Sequence, residues 1–297
     1  MTKTVFIHTN NQQMVGAIVG RHSLQRMSNN PERFDVKIVR RETYDVFNEY
    51  EGKKFLRAGG WRTWRNDDLQ SFTPVRFTPP EEMDYQGCAL VIDPDVFAVG
   101  DVNELFERDL EGKAILARPR SGHNGREDYI ATSVMLLDCA KLTHWNMQAQ
   151  FQKMFTGELD YEDWIVLATE PRGSIGHLEE IWNHFDKVTP GTRLLHNTKR
   201  RTQPWKTGLP IDFTNRLPII GKLVPNAGIR IPGKYKQHPD IRQEQFFFSL
   251  LKECFDSGQI SEAELKREMA ANHVRHDALQ MMKSAPPLDV AIEQFAA

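Results

Sequence analysis

The sequence predicts an α/β fold in which a mixed, mainly parallel sheet is flanked by helices and followed by a C-terminal helical extension. Three observations lead to this prediction. The chain opens with a strand, helix and strand pattern over residues 4–39, a continuous apolar run at residues 88–92 is typical of a buried central strand, and the last sixty residues show helical patterns only.

The opening segment is a βαβ pattern. Residues 4–7 are a short apolar run, residues 13–27 carry apolar side chains at helical spacing, and residues 36–39 are again extended. Such a unit predicts a parallel sheet that binds ligands beyond the carboxyl ends of its strands. The side chains that follow the first strand, and so are expected at a ligand, are His8, Thr9 and Asn10.

The middle of the chain alternates between strand and helix signals. We predict helix and loop for residues 41–87, a helical turn at 102–106, strands at 114–117 and 130–137, and helices at 141–155 and from 163 to 169. A last core strand is expected at residues 193–195, ending at His196. These elements extend the sheet begun by the opening unit.

The C-terminal part follows a connector containing Pro218, Pro225, Pro232 and Pro239. Ser261 and Glu264 form a capping box that predicts a helix to about residue 282. We place a domain boundary near residue 235, which gives a catalytic or binding domain at 1–235 and a helical extension at 236–297. The apolar residues at 246–248, 250 and 251 are expected in the core of these helices or in a homo-oligomer contact.

Composition narrows the class of protein. The 297 residues are 40% hydrophobic and 26% charged, and 38 basic against 40 acidic residues give a net charge of −2. This charge balance disfavours non-specific binding to nucleic acid. Three scattered cysteines predict neither a disulfide framework nor a zinc site, which favours a cytoplasmic location. We recognise neither a secretion signal nor a transmembrane span in the sequence.

The most informative position is the tripeptide Asp93-Pro94-Asp95 after the apolar run. Two carboxylates this close repel each other unless a positive charge lies between them. A divalent cation, Mg²⁺ or Mn²⁺ shared with phosphate oxygens, is one interpretation. A turn in which Asp93 accepts hydrogen bonds from nearby backbone amides is the other.

Three segments in order carry a resemblance to a known family. Residues 89–106 resemble the Asp-x-Asp segment of glycogenin-like glycosyltransferases, a family that includes bacterial lipopolysaccharide galactosyl- and glucosyltransferases. Residues 129–138 are similar to that family's strand with a Phe-Asn-Ser-Gly-Val core. Leu195-His196 followed by Pro204-Trp205-Lys206 resembles its late His and Lys-Pro-Trp motif. The resemblance covers about residues 4–206.

The resemblance implies a GT-A type, Rossmann-like fold and a nucleoside-diphosphate sugar as donor, usually a UDP-sugar, with a saccharide or other hydroxyl acceptor. It implies Mn²⁺ or Mg²⁺ between the diphosphate and Asp93, Asp95 and His196, and transfer with retention. The base and ribose are then expected over residues 8–10. Departure of the diphosphate also requires a cation, for which we favour Lys206 over Lys199 and Arg200.

The sequence departs from the family pattern at two positions. Ala131 stands where the family has asparagine, so Thr132 and Ser133 are the polar donor contacts that remain. Gln203 stands where the family has the lysine before Pro-Trp, and His196 lies eight residues before Pro204, one more than usual. The first departure leaves the identity of the donor sugar open. The second leaves open which lysine contacts the phosphate.

Several further residues have a functional and a structural interpretation. Arg76 either reaches a phosphate or Asp93, or is a surface arginine. Glu162 or Asp163 either orients the acceptor and stabilises positive charge on the sugar, or is an acid at a helix N-terminus. The segment at residues 61–65 is either an acceptor platform or a packed loop, and residues 199–201 are a basic patch or a solvated loop.

Three functions therefore compete. The first is a metal-dependent glycosyltransferase. The second is a non-catalytic nucleotide-sugar-binding protein of the same fold, which Ala131 and Gln203 keep open. The third is a phosphohydrolase that uses Asp93 as nucleophile and Asp95 as acid, although such enzymes place this pair near the N-terminus and need a later lysine and acidic motif.

Overall fold

A computed structural model describes residues 2–122, 128–216, 228–229 and 232–296. Its centre is a six-stranded sheet with the strand order β2-β1-β5-β8-β7-β9. Within the described part of the chain the strands are β1 Lys3–Thr9, β2 Asp35–Arg40, β3 Lys54–Arg57, β4 Gly60–Thr63, β5 Cys88–Ile92, β6 Val96–Ala98, β7 Ile115–Arg120, β8 Tyr129–Asp138, β9 Ile175–His177, β10 His184–Phe185, β11 Leu194–His196, β12 Asn215–Arg216 and β13 Gly228–Ile229.

The α-helices lie on the faces of this sheet and at the C-terminal end of the chain. They are α1 Met14–Met27, α2 Val46–Glu49, α3 Pro79–Glu82, α4 Asn103–Phe106, α5 Met147–Thr156, α6 Tyr161–Ile165, α7 Ile241–Asp256, α8 Glu262–Ala270, α9 Ala278–Ser284 and α10 Leu288–Ala296. None of the described helices is long and apolar enough to cross a membrane.

The central sheet is mixed. Strand β1 is parallel to β2 and to β5, β9 is parallel to β7, and only β8 runs antiparallel to its neighbours. The predicted fold class, a mainly parallel sheet flanked by helices with C-terminal helices, is confirmed. Because β7 and β5 are both antiparallel to β8, the carboxyl ends of β1, β5 and β7 meet at one edge of the sheet. We call this edge the ligand edge.

Strand β5 is apolar on both sides because both faces of the sheet are covered. Ala89 and Val91 face one hydrophobic core, whereas Cys88, Leu90 and Ile92 face the other. This alternation follows from the two-residue period of a strand. It explains why the central strand gives a continuous apolar run in the sequence.

A second, three-stranded sheet has the order β10-β11-β6. Strand β11 pairs antiparallel with β6, with His196 opposite Val96, and parallel with β10. The predicted strand ending at His196 is therefore present, but it lies beside the Asp93-Pro94-Asp95 turn and outside the central sheet. This pairing brings His196 next to residues one hundred positions earlier in the chain.

The C-terminal helices share a core with the N-terminal part of the chain. Phe247 on α7 stacks on Trp205 and lies edge-on to Phe97, with ring centroids 4.7 and 5.5 Å apart. Val15 and Val19 on α1 belong to the same apolar cluster. The apolar residues at 246–248, 250 and 251 are all buried in the chain's own core, as one of the two interpretations expected.

Several elements differ from the prediction. The hairpin of β3 and β4 lies in the region expected to be helix and loop. The helix expected at 141–155 begins only at Met147, because the side chain of Asn146 accepts a hydrogen bond from the Ala149 amide and caps it. The capping box of Ser261 and Glu264 is present, but the helix ends at Ala270. Two of the connector prolines, at 218 and 225, lie outside the described residues.

Candidate active site

The turn that carries both aspartates lies directly after β5 at the ligand edge. The Asp93 amide donates to the Ser133 carbonyl at 3.0 Å, and the Val96 amide donates to the Asp93 carbonyl at 3.2 Å. Helix α1 packs against this turn through Gly16, where a Cβ atom would lie 2.4 Å from the Pro94 carbonyl oxygen. The position of the two carboxylates is therefore fixed by backbone contacts with two other elements.

Asp93, Asp95 and His196 form a buried cluster. Each offers one ligand atom, and these three atoms lie within 4.8 Å of one another. All three side chains are almost inaccessible to solvent. The three residues that the sequence grouped from distant segments are thus brought together, in the arrangement that the metal interpretation required.

The contact with Asn183 determines which ring nitrogen of His196 is the donor. The two side chains are in contact through His196 Nδ1 and Asn183 Oδ1 at 2.8 Å, so Nδ1 is the protonated, donating nitrogen. The other nitrogen, Nε2, lies 3.2 Å from Asp95 Oδ1, which is buried and has no hydrogen-bond donor. A lone pair therefore faces an unpartnered carboxylate oxygen, and a cation between them satisfies both atoms. The donor set fits a divalent metal.

Arg76 lies on a 3₁₀ helix, Thr73–Phe77, and forms a two-pronged ion pair with Asp93. Its Nε donates to Asp93 Oδ1 at 2.7 Å, and Nη2 donates to Oδ2. Burial lowers the pKa of Arg76, but the pairing with Asp93 outweighs this effect and raises it. Burial raises the pKa of Asp93, whereas Arg76 opposes the rise. The surface interpretation of Arg76 is excluded, because its side chain is buried against Asp93.

Thr132 and Ser133 lie where the register of β8 against β7 is irregular, a feature that often re-aims side chains at sites. Thr132 Oγ1 accepts from Arg76 Nη1 at 3.0 Å and donates to the Ile165 carbonyl at 2.6 Å. Ser133 Oγ accepts from Asn183 Nδ2 at 3.0 Å. The two hydroxyls therefore hold Arg76 and Asn183, the side chains that contact Asp93 and His196.

The side chains of His8, Thr9 and Asn10 are completely buried at the end of β1. Neither ring nitrogen of His8 has a hydrogen-bond partner. Burial, together with the charge of Arg76, lowers the pKa of His8 to about 3. The imidazole is thus neutral at physiological pH.

A small apolar cluster lies next to this strand end, and we call it the cap. It consists of Leu69, Leu209, Phe213 and Tyr235. Asn10 is tied to the cap segment because its Nδ2 donates to the Leu69 carbonyl at 3.0 Å and to Ser71 Oγ at 3.1 Å. The Asn10 Oδ1 atom has no partner.

Lys206 is completely buried and already has a counter-ion. Its ammonium group donates to Asp212 at 2.6 Å and lies over the ring of Tyr235, whose hydroxyl also donates to Asp212. Burial lowers the pKa of Lys206, while Asp212 opposes this. The charge of Lys206 is therefore compensated inside the chain, which the sequence spacing did not reveal.

Arg200 has no carboxylate contact among the described residues. Its Nη1 donates to Gln70 Oε1 at 3.1 Å, and its guanidinium lies 4.8 Å from the Phe213 ring centroid. Burial lowers its pKa, and the charge of Arg57 contributes to the same direction although Asp68 opposes it. Three residues later Gln203 Nε2 donates to Asp95 Oδ2 at 2.9 Å. Arg200 thus belongs to a segment attached to the aspartate turn.

Glu162 and Asp163 lie in the first turn of α6, which the Asp160 side chain caps. Glu162 accepts from Arg57 Nε at 2.7 Å, whereas Asp163 is exposed. Some burial raises the pKa of Asp163, and the charges of Asp160 and Glu162 add to this. This placement matches the helix N-terminus interpretation, and the Ile165 carbonyl of the same helix accepts a hydrogen bond from Thr132.

Sequence reasoning missed Asn183 and the contact between Gln203 and Asp95. No motif marks Asn183, because its role depends on the pairing of β10 with β11. The segment at residues 61–65 is divided: Trp64 is buried between Phe47, Phe55 and Phe151, whereas Trp61 is 39% exposed.

Comparisons with known proteins give structures but no sequence relatives. No family model and no curated protein matches the chain. Solved structures similar to it include the galactosyltransferase LgtC with donor and acceptor sugar analogs, at 15% identity over 69% of this chain and 89% of that one, with a TM-score of 0.47.

Two other similar structures are also glycosyltransferases. For GlyE of Streptococcus pneumoniae TIGR4 the identity is 15%, over 86% of this chain and 64% of that one, with a TM-score of 0.49. For mouse xyloside xylosyltransferase 1 the identity is 11%, over 66% of this chain and 97% of that one, with a TM-score of 0.41. The chain therefore spans just under two thirds of GlyE.

Proposed function

We propose that the protein is a metal-dependent glycosyltransferase that moves a sugar from a nucleoside-diphosphate sugar, most simply a UDP-sugar, to a hydroxyl acceptor with retention. One observation carries the proposal: the Asp95 Oδ1 atom and the His196 Nε2 lone pair face each other in a buried site with no donor between them. The resemblance of three ordered segments to glycogenin-like enzymes supplies the class of reaction.

Asp93, Asp95 and His196 would hold Mn²⁺ or Mg²⁺. When bound, such an ion neutralises the negative charge that develops on the departing diphosphate. Asn183 keeps the imidazole in the tautomer that leaves Nε2 free, and Arg76 holds Asp93 in place. Both supporting contacts limit the reorganisation that binding requires.

The second positive charge at the diphosphate is better supplied by Arg200 than by Lys206. The Lys206 ammonium is already paired with Asp212, whereas Arg200 donates to the Gln70 amide and contacts no carboxylate in the described part of the chain. In this proposal Lys206 instead holds the cap closed through Asp212 and Tyr235. Arg200→Gln is then expected to weaken UDP binding about tenfold or more. Lys206→Met is expected mainly to lower the free energy of unfolding, because Lys206 holds the cap.

Glu162 and Asp163 remain proposals for the acceptor side. Exposed Asp163 is the better placed of the two to meet an incoming hydroxyl group, since Glu162 is engaged with Arg57. Asp163→Asn is expected to lower kcat while leaving UDP affinity within twofold, as roughly expected for a group that does not touch the donor.

One observation favours the non-catalytic alternative. Gln203 Nε2 donates a hydrogen bond to Asp95 Oδ2, so an amide engages the second oxygen of this carboxylate at a position where the resembled family has a lysine. The phosphohydrolase alternative fits less well, because such enzymes place the aspartate pair near the N-terminus and need a later lysine and a second acidic motif.

The test is a panel of UDP-, GDP- and ADP-sugars with Mn²⁺, read by thermal unfolding. A donor at one hundred times its dissociation constant stabilises the folded chain by about 2.7 kcal/mol. The stabilising donor is then followed by NMR for release of free sugar or transfer, with the anomeric coupling constant reporting retention. Stabilisation without turnover supports the non-catalytic protein, and no stabilisation by any member of the panel contradicts nucleotide-sugar binding.

A further inference from the structure

The ligand edge has a second cationic feature at the carboxyl end of β7. Strand β7 runs in the same direction as β5 and is separated from it by β8, so the two strands lie about 10 Å apart across the sheet. Strand β7 also extends further than β5, because Arg120 lies opposite Tyr129 of β8 whereas the Asp93 amide bonds to Ser133. Its last residues are Arg118, Pro119 and Arg120. The β1 side of the same edge is where the nucleotide is proposed to bind, so β7 lies on the opposite side of the aspartates.

Both arginines contact one aromatic ring. The guanidinium carbons of Arg118 and Arg120 lie 4.7 and 4.5 Å from the ring centroid of Phe185. The same ring lies edge-on to His196, with centroids 5.1 Å apart. Phe185 therefore forms a bridge between the arginine pair and the proposed metal ligand.

The charges at this place do not balance. Arg118 is engaged: it donates to the Asn183 carbonyl and pairs with Glu180 at 3.1 Å. Within the described ranges Arg120 contacts the Phe185 ring and has no hydrogen bond or carboxylate contact. Burial lowers the pKa of Arg118, and the charge of Arg120 adds to this although Glu180 opposes it. Among the described residues, one carboxylate thus faces two guanidinium groups.

Two guanidinium groups on one ring repel each other unless an anion lies between or beside them. Planar guanidinium forks bind carboxylate and phosphate oxygens through paired hydrogen bonds. An aromatic ring beneath holds the forks in place at low cost in conformational entropy. The features of an anion site are therefore present, on the side of the edge that the donor leaves free.

We propose that Arg118 and Arg120, held against the Phe185 ring, bind an acidic group of the acceptor, so that the acceptor is a saccharide carrying a phosphate or a carboxylate close to the hydroxyl group that is glycosylated. The identification of the bound anion as part of an acceptor rests on the proposed function. The anion site itself rests only on the geometry at the end of β7.

The first experiment tests the anion site without any donor. The arginine Nε–H resonances are followed by NMR during titration with inorganic phosphate, glucose 6-phosphate, methyl glucuronide and, as a neutral control, methyl glucoside. We expect saturable shifts of the Arg118 and Arg120 signals with the anions but not with methyl glucoside. In Arg120→Gln the anions are expected no longer to shift the Arg118 signal. Arg172→Gln, a change of an exposed arginine in a surface turn, is expected to change nothing. Whichever of glucose 6-phosphate and methyl glucuronide binds more tightly identifies phosphate or carboxylate as the preferred group.

The second experiment tests the role in acceptor binding. With the donor fixed, the KM for the preferred anionic acceptor is expected to rise about tenfold or more in Arg120→Gln, the loss of one charge-assisted pair. The dissociation constant of UDP with Mn²⁺ is expected to stay within twofold. Anion-induced shifts that appear elsewhere, or an unchanged KM, overturn the inference. Absence of UDP binding in the parent protein overturns the proposed function instead, while the NMR titration still decides the anion site.

Discussion

The two sides of the ligand edge differ in how far their charged side chains are paired. On the β1 side, His8, Thr9 and Asn10 are completely buried beside the cap, and Arg76 and Asp93 neutralise each other. On the β7 side, Arg120 and the exposed His177 end their strands without a carboxylate contact in the described part of the chain. Apart from Arg200, which contacts no carboxylate in the described part of the chain, the proposed donor side is thus charge-paired before a ligand binds, whereas the proposed acceptor side leaves the charge of Arg120 for a ligand to balance.

The largest difference in unfolding free energy is expected between variants that remove one arginine from each side. Arg76→Met leaves the buried Asp93 carboxylate without its partner and is expected to cost about 3–5 kcal/mol of unfolding free energy. Arg120→Met removes a charge that is not engaged in an ion pair and is expected to stay within about 0.5 kcal/mol. Urea unfolding of both variants measures the contrast. Equal losses would remove the distinction between the two sides.

A smaller loss is expected from crowding the aspartate turn. Gly16→Ala places a Cβ atom against the Pro94 carbonyl, so α1 or the turn must move, at a cost of about 1–3 kcal/mol. Gly173→Ala is the matched control, because no atom lies within 4 Å of its added Cβ. Thermal unfolding in the absence of metal compares the two. A Gly16→Ala variant as stable as the control would show that α1 does not position the turn.

The sequence was informative where one segment determines the structure. Asp93 and Asp95 follow directly from a strand with two buried faces, and Arg76 and His196 occupy positions given by the resemblance. Lys206 shows where this reasoning stops, because its burial depends on Asp212 and on Tyr235, which lies 29 positions along the chain. Asn183 carries no motif at all.

The fold followed the same rule. The βαβ opening and β5 were predictable from local apolar periodicity. The hairpin of β3 and β4 was not, because its four-residue strands are too short for alternation to stand out and are stabilised by packing, with Phe55 buried against Trp64 and Tyr161. The start of α5 at Met147 and the end of α8 at Ala270 could not be predicted, because the spacing of apolar residues does not show where a helix is capped.

The smallest expected effect is the pH dependence that His8 gives to the β1 side. The pKa of His8 is about 3 in the folded chain and about 6.5 when the chain unfolds. Below pH 6.5 the unfolded state therefore binds the proton first, and stability falls as pH falls towards 3. The contribution is about 1.4 kcal/mol per pH unit.

This dependence is measured by urea unfolding at pH 5.5 and 4.5 with the His8→Gln and His177→Gln variants. His8→Gln is expected to reduce the loss of stability between these two values by about 1.4 kcal/mol. His177→Gln, at an exposed strand end, serves as the control. If the parent and the His8→Gln variant lose the same stability over this interval, His8 is not held neutral by burial.

The central claim is that the Asp95 and His196 pair at the ligand edge takes up a divalent metal that carries a nucleoside diphosphate. Calorimetric titration of UDP with Mn²⁺ tests it most directly, in the parent protein, in Asp95→Asn and in Asp256→Asn, an exposed control on α7. We predict binding by the parent and the control, and a loss of about tenfold or more both in Asp95→Asn and in EDTA. Undiminished UDP affinity in the chelator and in Asp95→Asn would contradict the account.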